Sequence, residues 1–437
     1  MLHVISGDFK VSPIQLKPSQ LMIRKILFWS HLSAGVTAGL FVFTMAATGV
    51  LLSFEKQVIE FVDRDMRSVA VPSEARPRSL NDLLESVRRA GYGDPASITV
   101  SDEPQAATQV SVGRTKTVYL DPYSGAVLGL SSSRAHEFFS VVERLHRALG
   151  APLGSKSIGR WLTGISNLLF CVLIVFGIFL WLPRKWNWNA VRAVLTFRCG
   201  LKGKARDWNW HNVIGIWCAI PLLVIVLTGV VMSFDWANTL LFRITGSAPP
   251  TSGRGGGNRS PRADHNAGMG NEPDYDRLFG VAIALDAKWR RITLNVAQNE
   301  NGPISAAVDA GTGGQPQKRT QYLLQRDTGA VLKKVAFADG SLGQRLRAFV
   351  RFGHTGEYGG LLGQAVAAIV SLGACVLVYT GFALALRRLA ATLRRRRRNL
   401  PPGPNLAEPR ATATFEDNSQ SFVGVGSAGC PDSRPSR

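Results

Sequence analysis

Two stretches of the chain, His31-Leu-Ser-Ala-Gly35 and His211-Asn-Val-Ile-Gly215, decide the fold. Each begins with a histidine in an apolar run and leads to a second shared segment. That segment is Thr48-Gly-Val-Leu-Leu-Ser-Phe-Glu55 in the first copy and Thr228-Gly-Val-Val-Met-Ser-Phe-Asp235 in the second. In both copies the histidine precedes the glycine by four residues and the threonine by seventeen. This matched spacing indicates a duplicated helix that carries a histidine at one fixed depth.

Four apolar runs are long enough to cross a bilayer, which takes about 20 residues as a helix. Apart from histidine, none of these runs contains a charged side chain. Uncharged runs of this length are not typical of soluble core helices. We therefore predict four membrane-spanning helices, at residues 26–54, 161–182, 210–234 and 361–386.

Basic residues beside the spans predict the orientation, because cytoplasmic flanks carry an excess of Lys and Arg. Residues 183–209 hold seven Lys or Arg and one acid, and arginines also follow the last span. We therefore predict a multi-pass protein of the bacterial inner membrane with both termini, residues 1–25 and 387–437, in the cytoplasm. These basic flanks account for much of the net charge of +21 and can contact anionic lipid. The positive charge therefore does not indicate a nucleic-acid partner, and we predict none.

Two long segments, residues 55–160 and 235–360, then lie outside the cytoplasm. Each holds a helical stretch, which Ser79 is expected to cap in the first copy, followed by strand-like stretches. Each also holds a turn, Asp121-Pro-Tyr-Ser-Gly125 in the first and Asp327-Thr-Gly329 in the second. We predict an all-α core of four membrane helices with two periplasmic α+β domains, built as two parallel span–domain–span repeats.

Two polar segments interrupt this pattern. Residues 246–271, within the second outer domain, and residues 399–437, within the basic tail, are rich in residues that disfavour a core, and we predict both to be disordered. His265 in the first segment and His3 near the N-terminus are predicted to have no role. None of the five cysteines lies in the outer domains, so no disulfide is expected there.

Four histidines recur at matching places in the two copies. His31 and His211, the first pair, lie near the predicted inner side of the membrane. His146 and His354, the second pair, precede the second and fourth spans at the outer margin. Ionisable side chains within spans are costly and usually functional. Imidazole is a good axial ligand for haem iron in a helix bundle, and the chain has no CxxCH motif, so we predict non-covalent b-type haem on these four histidines.

Other roles for the histidines stay open. A proton relay usually needs carboxylates within the spans, and a zinc or di-iron site needs Cys, Asp or Glu at ligand spacing; the spans offer no acidic residue. Polar packing is the third alternative. His136, ten residues before His146, has no counterpart in the second copy and is a candidate ligand or substrate-side residue.

Small residues near the ligands suit a flat macrocycle that lies against helices. Gly35, Gly215 and Gly356 are the candidates for close packing beside haem. The alternative is close helix–helix packing, because membrane helices favour small residues in any case. Further candidates of the same kind are Gly39, Gly359 and Gly360.

A family resemblance rests on several motifs together. They are Leu145-His146-Arg147, the Asp121-Pro-Tyr-Ser-Gly-Ala-Val-Leu128 turn, Trp210-His211-Asn-Val-Ile-Gly-Ile-Trp217, and His354-Thr-Gly-Glu357 with Gly360. Over about residues 20–390 the chain resembles the PepSY-associated transmembrane family, which includes inner-membrane siderophore reductases and iron-regulated membrane proteins. The resemblance implies four spans, two outer PepSY-type domains and, as in characterised reductases, two b haems.

The expected function is a haem reductase that passes electrons across the inner membrane to a periplasmic ferric siderophore and releases Fe(II) for uptake. No nicotinamide or flavin motif is visible, so the electron donor is expected to be quinol or a separate cytoplasmic reductase. Two alternatives remain: a membrane-anchored PepSY protein that binds peptide or inhibits a protease, and a permease for the chelate or iron without a redox role. Carboxylates and broken helices, which a permease favours, are missing from the spans.

Overall fold

The computed structural model describes residues 18–74, 76–113, 116–152, 157–182, 188–248, 273–296 and 302–398. Some sequence predictions fall outside these residues. They concern His3, His265, the tail from residue 399 onward and nearly all of the predicted disordered segment 246–271. The helices are α1 (Pro18–Leu52), α2 (Glu55–Val62), α3 (Arg64–Arg67), α4 (Leu80–Arg89), α5 (Ser133–Ala148), α6 (Ile158–Trp181), α7 (Trp188–Leu195), α8 (Gly203–Ser233), α9 (Asp235–Ile244), α10 (Tyr275–Leu285), α11 (Leu342–His354) and α12 (Gly360–Arg398).

Four of the described helices, α1, α6, α8 and α12, are long and apolar enough to cross a membrane. The four spans predicted from the sequence are therefore present as helices. Two of them run past the apolar cores: α1 begins at Pro18, and α12 continues through an arginine-rich stretch to Arg398. Arginine is a good helix former, so the basic flanks extend the helices beyond the apolar runs.

The four long helices pack through small and branched side chains. Ala46, Ile174, Ala219 and Ala374 are among the buried residues of one apolar cluster that all four helices share. Alanine at such positions lets helix backbones approach closely, which is the usual basis of packing in membranes. The interior of the bundle is therefore tight enough to fix side chains that point into it.

Eight strands form one antiparallel sheet with the order β4-β3-β2-β1-β5-β6-β7-β8. The strands are β1 (Pro95–Ser101), β2 (Thr108–Val112), β3 (Lys116–Leu120), β4 (Val127–Leu130), β5 (Arg291–Asn295), β6 (Ile304–Asp309), β7 (Arg319–Leu324) and β8 (Val331–Ala336). The first and second four-stranded halves join where β1 pairs with β5, with Thr99 opposite Thr293. Their hydroxyl oxygens lie 2.9 Å apart.

The two outer α+β segments predicted from the sequence thus contribute four strands each to one continuous sheet. Both halves share one core, in which Leu84 of α4 and Leu278 of α10 are fully buried against strands from either side. An unpaired strand edge exposes backbone donors and acceptors, so pairing β1 with β5 removes one edge from each half. The physical unit outside the spans is therefore a single α+β layer.

The helices that cover the sheet also cap each other. Ser79 makes no side-chain cap to α4; instead the Asp276 carboxylate of α10 accepts hydrogen bonds from Ser79 Oγ at 2.5 Å and from the Leu80 amide at 2.9 Å. In return, Asn81 Oδ1 accepts from the Tyr275 amide at 2.9 Å. The cap predicted for Ser79 thus comes from the other half of the layer, which strengthens the joint between the halves.

Candidate functional site

The first pair lies between two spanning helices. His31 projects from α1 and His211 from α8, and their ring centroids are 6.4 Å apart with the ring planes at 86°. The structure thus brings together two residues that are 180 positions apart in the sequence.

The second pair lies on two shorter helices that lead into the next spans. His146 is near the end of α5, before α6, and His354 is the last residue of α11, before α12. Their ring centroids are 6.1 Å apart and the ring planes meet at 65°. This pair has nearly the same spacing as the first.

The two pairs are far apart along the bundle. Gly49 of α1 contacts His146, and Gly229 of α8 contacts His354. On α1, 18 residues separate His31 from Gly49, and on α8 the same number separates His211 from Gly229. At about 1.5 Å per helical residue the pairs are about 27 Å apart, close to the ~30 Å thickness of a hydrocarbon core.

Every one of the four rings lies against a glycine on a neighbouring helix. A Cβ atom built on each of these glycines would come within 3.3–3.5 Å of the Cε1 atom of the ring. The contacts are Gly177 with His31, Gly381 with His211, Gly49 with His146, and Gly229 with His354. Even a methyl group at these positions would be in contact with the ring, so glycine lets each imidazole lie close to the helix behind it.

Three of the rings are held at Nδ1 by a threonine one residue before that glycine. The Nδ1–Oγ1 distances are 3.0 Å for His146 and Thr48, 3.1 Å for His354 and Thr228, and 2.9 Å for His211 and Thr380. His354 Nδ1 also lies 2.9 Å from the Ile225 carbonyl oxygen.

The threonine hydroxyls fix which ring nitrogen carries the proton. Each hydroxyl donates its own hydrogen to a carbonyl one turn earlier, as Thr380 does to Val376 at 2.8 Å and Thr228 does to Val224 at 2.8 Å. With that hydrogen on the carbonyl, the hydroxyl oxygen accepts from Nδ1–H, and for His354 the Ile225 carbonyl, which can only accept, requires the same assignment. Nε2 keeps its lone pair, which is the arrangement seen when a histidine binds a metal and its other nitrogen is held by an outer partner.

His31 departs from this pattern. Phe176 stands before Gly177, where the other three sites have threonine. The Leu173 carbonyl faces His31 Nδ1 but lies outside hydrogen-bond geometry, and within the described residues the buried Nδ1 has no hydrogen-bond partner.

The second pair is electrostatically suited to a metal. Burial, with a further effect from the charge of His354, lowers the pKa of His146 to about 4, and burial lowers the pKa of His354 as well. Both imidazoles are therefore neutral near pH 7, and neutral imidazole is the form that binds iron.

The chemistry of the donor set fits haem. Two imidazoles that bind one iron from opposite sides place their ring centroids about 6.3 Å apart, because each metal–nitrogen bond is about 2.0 Å long. The observed 6.4 and 6.1 Å agree with this spacing. In the part of the chain that the structure describes, no group of three or more His, Cys, Asp or Glu residues could hold a metal ion, so a zinc or di-iron site with protein ligands alone does not fit.

The glycines singled out from the sequence do not contact the histidine rings. A Cβ on Gly35 would meet only Leu173, and one on Gly215 would meet only Leu377, each at 3.7 Å. Gly356 has a φ of +78°, and a Cβ there would overlap the backbone of Gly363. These three residues pack helices and shape a turn; it is Gly49, Gly177, Gly229 and Gly381 that contact the histidine rings.

A repeated dipeptide could have identified most of the missed residues. Thr-Gly occurs at residues 48–49, 228–229 and 380–381 in three of the spans. It also occurs at residues 163–164 in the second span, where Thr163 donates to the Arg147 carbonyl and Gly164 contacts Phe234 instead of a histidine. The first two were visible as landmarks of the duplication, but the third lies in the last span, outside that match. In all three spans the threonine binds a ring nitrogen and the glycine contacts the same ring.

His136 does not join either pair. It lies ten residues before His146 on α5, about 15 Å along the helix. Its Nε2 is 3.0 Å from Ser131 Oγ, and Ser131 in turn donates to the buried Asp63 carboxylate. This network joins the start of α5 to the end of α2, so the contacts of His136 are structural ones.

Carboxylates gather at the end of the bundle that holds the second pair. Glu143 is three residues before His146, Glu357 is three residues after His354, and Glu55 begins α2. Burial raises the pKa of the Glu55 carboxyl, and the charges of Glu143 and Glu357 raise it further. The charges of these three carboxylates act on one another beside the second pair, and Glu143 is paired with Arg147.

Four spanning helices with buried histidine pairs and an attached α+β layer define an integral membrane protein with an extramembrane domain. More particularly, the chain belongs to the family described as the PepSY-associated TM region, whose family model matches residues 28–388. The match covers all four spans and the whole sheet. A comparison with curated proteins finds no match.

Proposed function

We propose that this protein is a reductase of the bacterial inner membrane that holds two b-type haems and reduces a ferric siderophore at the periplasmic surface. The observation that carries the proposal is that two imidazoles face each other in each of the two histidine pairs, at the spacing expected for ligands of one haem iron. The two pairs are about 27 Å apart along the bundle. A PepSY protein that served only as an anchor would have no need of four histidines that each lie against a glycine, three of them also held by a threonine.

The histidines do two things in this proposal. Nε2 of each ring would bind iron. Thr48, Thr228 and Thr380 hold Nδ1 of His146, His354 and His211, which leaves Nε2 of these three rings unprotonated. Haem bound there would supply reversible one-electron chemistry for reducing Fe(III) in the chelate to Fe(II), which hard oxygen ligands hold much less tightly.

The basic flanks support a cytoplasmic location for the first pair. Arg24 donates to the carbonyls of Leu180 and Leu182 at 3.0 and 2.8 Å, joining α1 to the end of α6. On α8 and α12, Arg206 and Arg387 bind the fully buried Asp207 carboxylate. Arginines at these three span ends favour the cytoplasmic side, where quinol or a cytoplasmic reductase would be the electron donor.

The sheet layer supports a substrate site at the second pair. Lys56 of α2 donates to the Thr312 carbonyl in the loop after β6, and Gly314 of the same loop packs against Glu357, three residues after His354. The layer is therefore joined to the bundle at its second-pair end. A ferric chelate that contacts this end meets both elements, which is why we assign reduction to it.

The proposal is tested by oxidising the reduced protein with substrate. The purified protein in nanodiscs is reduced by a stoichiometric amount of dithionite and mixed anaerobically with a ferric siderophore, while haem absorbance and trapping of Fe(II) by ferrozine are recorded. We expect the haem to be oxidised and one Fe(II) to appear per electron lost. If reduced haem persists with several classes of ferric chelate as long as in buffer, the reductase proposal is wrong.

Gly229→Ala should weaken haem binding at the second pair. The new Cβ would lie 2.5 Å from Asn167 Nδ2 and 3.3 Å from His354 Cε1, so the Asn167 amide must move and the ring must give by a few tenths of an ångström. We expect haem affinity at this pair to fall by about tenfold, measured by transfer of haem to apomyoglobin. Gly215→Ala is the matched control on the same helix, because its Cβ would meet only Leu377 at 3.7 Å. Equal haem transfer from both variants would contradict the contact.

A further inference from the structure

The four histidine sites differ at one position, and this difference has a functional consequence. We propose that Thr48, Thr228 and Thr380 are positioning residues for the haem ligands, and that Phe176 at the fourth position makes His31 the weakly held ligand of the first pair. The inference rests on the proposed haem function and assigns unequal strength to the two ligands of one haem.

The equivalence of the four positions is geometric. Each ring contacts a glycine through Cε1, and the residue before that glycine faces Nδ1 of the same ring in three sites. His31 contacts Gly177 in the same way, with a distance of 3.4 Å from a built Cβ to Cε1. Phe176 therefore occupies the position of the threonine, and it has no atom that can accept a hydrogen bond.

The missing partner weakens His31 for two reasons. A hydrogen bond from Nδ1–H to an acceptor makes the imidazole a stronger donor to iron and also stops the ring from rotating. His31 lacks this bond, since its buried Nδ1 has no partner among the described residues, whereas His211 opposite has Thr380 at 2.9 Å. The first pair is therefore asymmetric, and the second pair has a threonine on both sides.

This asymmetry predicts where a small ligand can bind. A six-coordinate haem takes up cyanide only after one imidazole leaves, so the rate reports the weaker ligand. We expect cyanide to bind one haem of the oxidised protein, that of the first pair, faster than the other. We also expect the first-pair haem to have a higher reduction potential than it would have with a threonine at residue 176, because a stronger donor stabilises Fe(III).

The test compares four proteins: the wild type, Phe176→Thr, Thr380→Val and the matched control Phe179→Thr. Phe179 is on the same helix, with 55% of its surface exposed, and receives the same substitution away from the ring. Haem content, cyanide-binding rates and midpoint potentials are measured for each protein. Phe176→Thr should slow cyanide binding at the first pair about tenfold and lower the potential of that haem; Phe179→Thr should match the wild type.

Thr380→Val probes the same haem from the other side and keeps the test decisive if Phe176→Thr does not fold. Removing the partner of His211 should speed cyanide binding at the first pair about tenfold and raise the potential of that haem. Two haems that bind cyanide at equal rates in the wild type, or a Thr380→Val protein identical to the wild type, would overturn the inference while leaving the reductase proposal intact. A folded wild-type protein without haem would instead overturn the proposed function itself.

Discussion

Replacing His211 with alanine should reduce the haem content from two per chain to one. Among the described residues His211 and His31 are the two imidazoles at this site, and alanine leaves His31, whose Nδ1 has no hydrogen-bond partner among them, to hold the haem. The second pair is about 27 Å away along the bundle, too far for its geometry to change with this side chain. The remaining haem should therefore keep a six-coordinate spectrum, as measured by a pyridine haemochrome count together with visible absorption.

His136→Ala is the control for this prediction. His136 bonds to Ser131 and contacts neither pair, so this variant should keep both haems. Full occupancy of two six-coordinate haems in the His211→Ala protein would show that the pairing of His31 with His211 does not describe the ligands. Loss of one haem in His136→Ala would show that the second site includes a residue that the geometry places outside it.

Replacing His354 with alanine should abolish reduction of the ferric chelate while one haem stays bound. This substitution removes the ligand beside Glu357 and the loop after β6, the end at which we place the substrate. The first-pair haem should still be reduced by dithionite but should then be oxidised by the chelate no faster than in its absence. Stopped-flow absorbance after mixing with ferric siderophore measures this rate.

The His211→Ala protein is the complementary variant in that experiment. It keeps the second pair, so its single haem, once chemically reduced, should still be oxidised by the chelate at close to the wild-type rate. Wild-type oxidation in His354→Ala, combined with slow oxidation in His211→Ala, would place the substrate at the opposite end of the bundle and reverse the direction that we propose.

The sequence was most informative about the spans and the histidines. Matched spacing after His31 and His211 predicted the same depth for both, and the structure places their rings opposite each other. His146 and His354 could be paired by the same argument, because His146 follows Asp121 of the shared turn by 25 residues and His354 follows Asp327 by 27. In two copies of the same helix, residues at equal distances from a shared motif lie at equal heights along the helix axis. Equal offsets in the sequence therefore predict equal depths in the bundle.

The partners of the rings could not be predicted in the same way. Thr48 and His146 are 98 residues apart, and Thr380 and His211 are 169 residues apart. Which faces of two helices meet depends on packing of the whole bundle and not on the local pattern of either helix. For the same reason Gly35 and Gly215, one turn from their histidines on the same helices, were chosen instead of the glycines on the facing helices.

The pairing between the two halves of the sheet could not be predicted from the sequence either. The strand stretches were recognisable, but pairing of β1 with β5 joins residues that are about 190 positions apart, and any free edge could have been the one to pair. The exchange of helix caps through Asp276 and Asn81 was equally invisible, because a local capping residue, Ser79, was already present. Which strand edges pair depends on which surfaces the two halves of the sheet bury against each other. That arrangement is defined only in the folded structure of both halves.

The most direct measurement is the visible spectrum of the purified protein, produced with haem available and recorded oxidised and then dithionite-reduced, with a pyridine haemochrome count. The account predicts sharp reduced α-bands and about two b-type haems per chain, one for each pair of histidines. A protein that is helical by circular dichroism and contains no haem would contradict it, and would leave the four histidines with a role in packing alone.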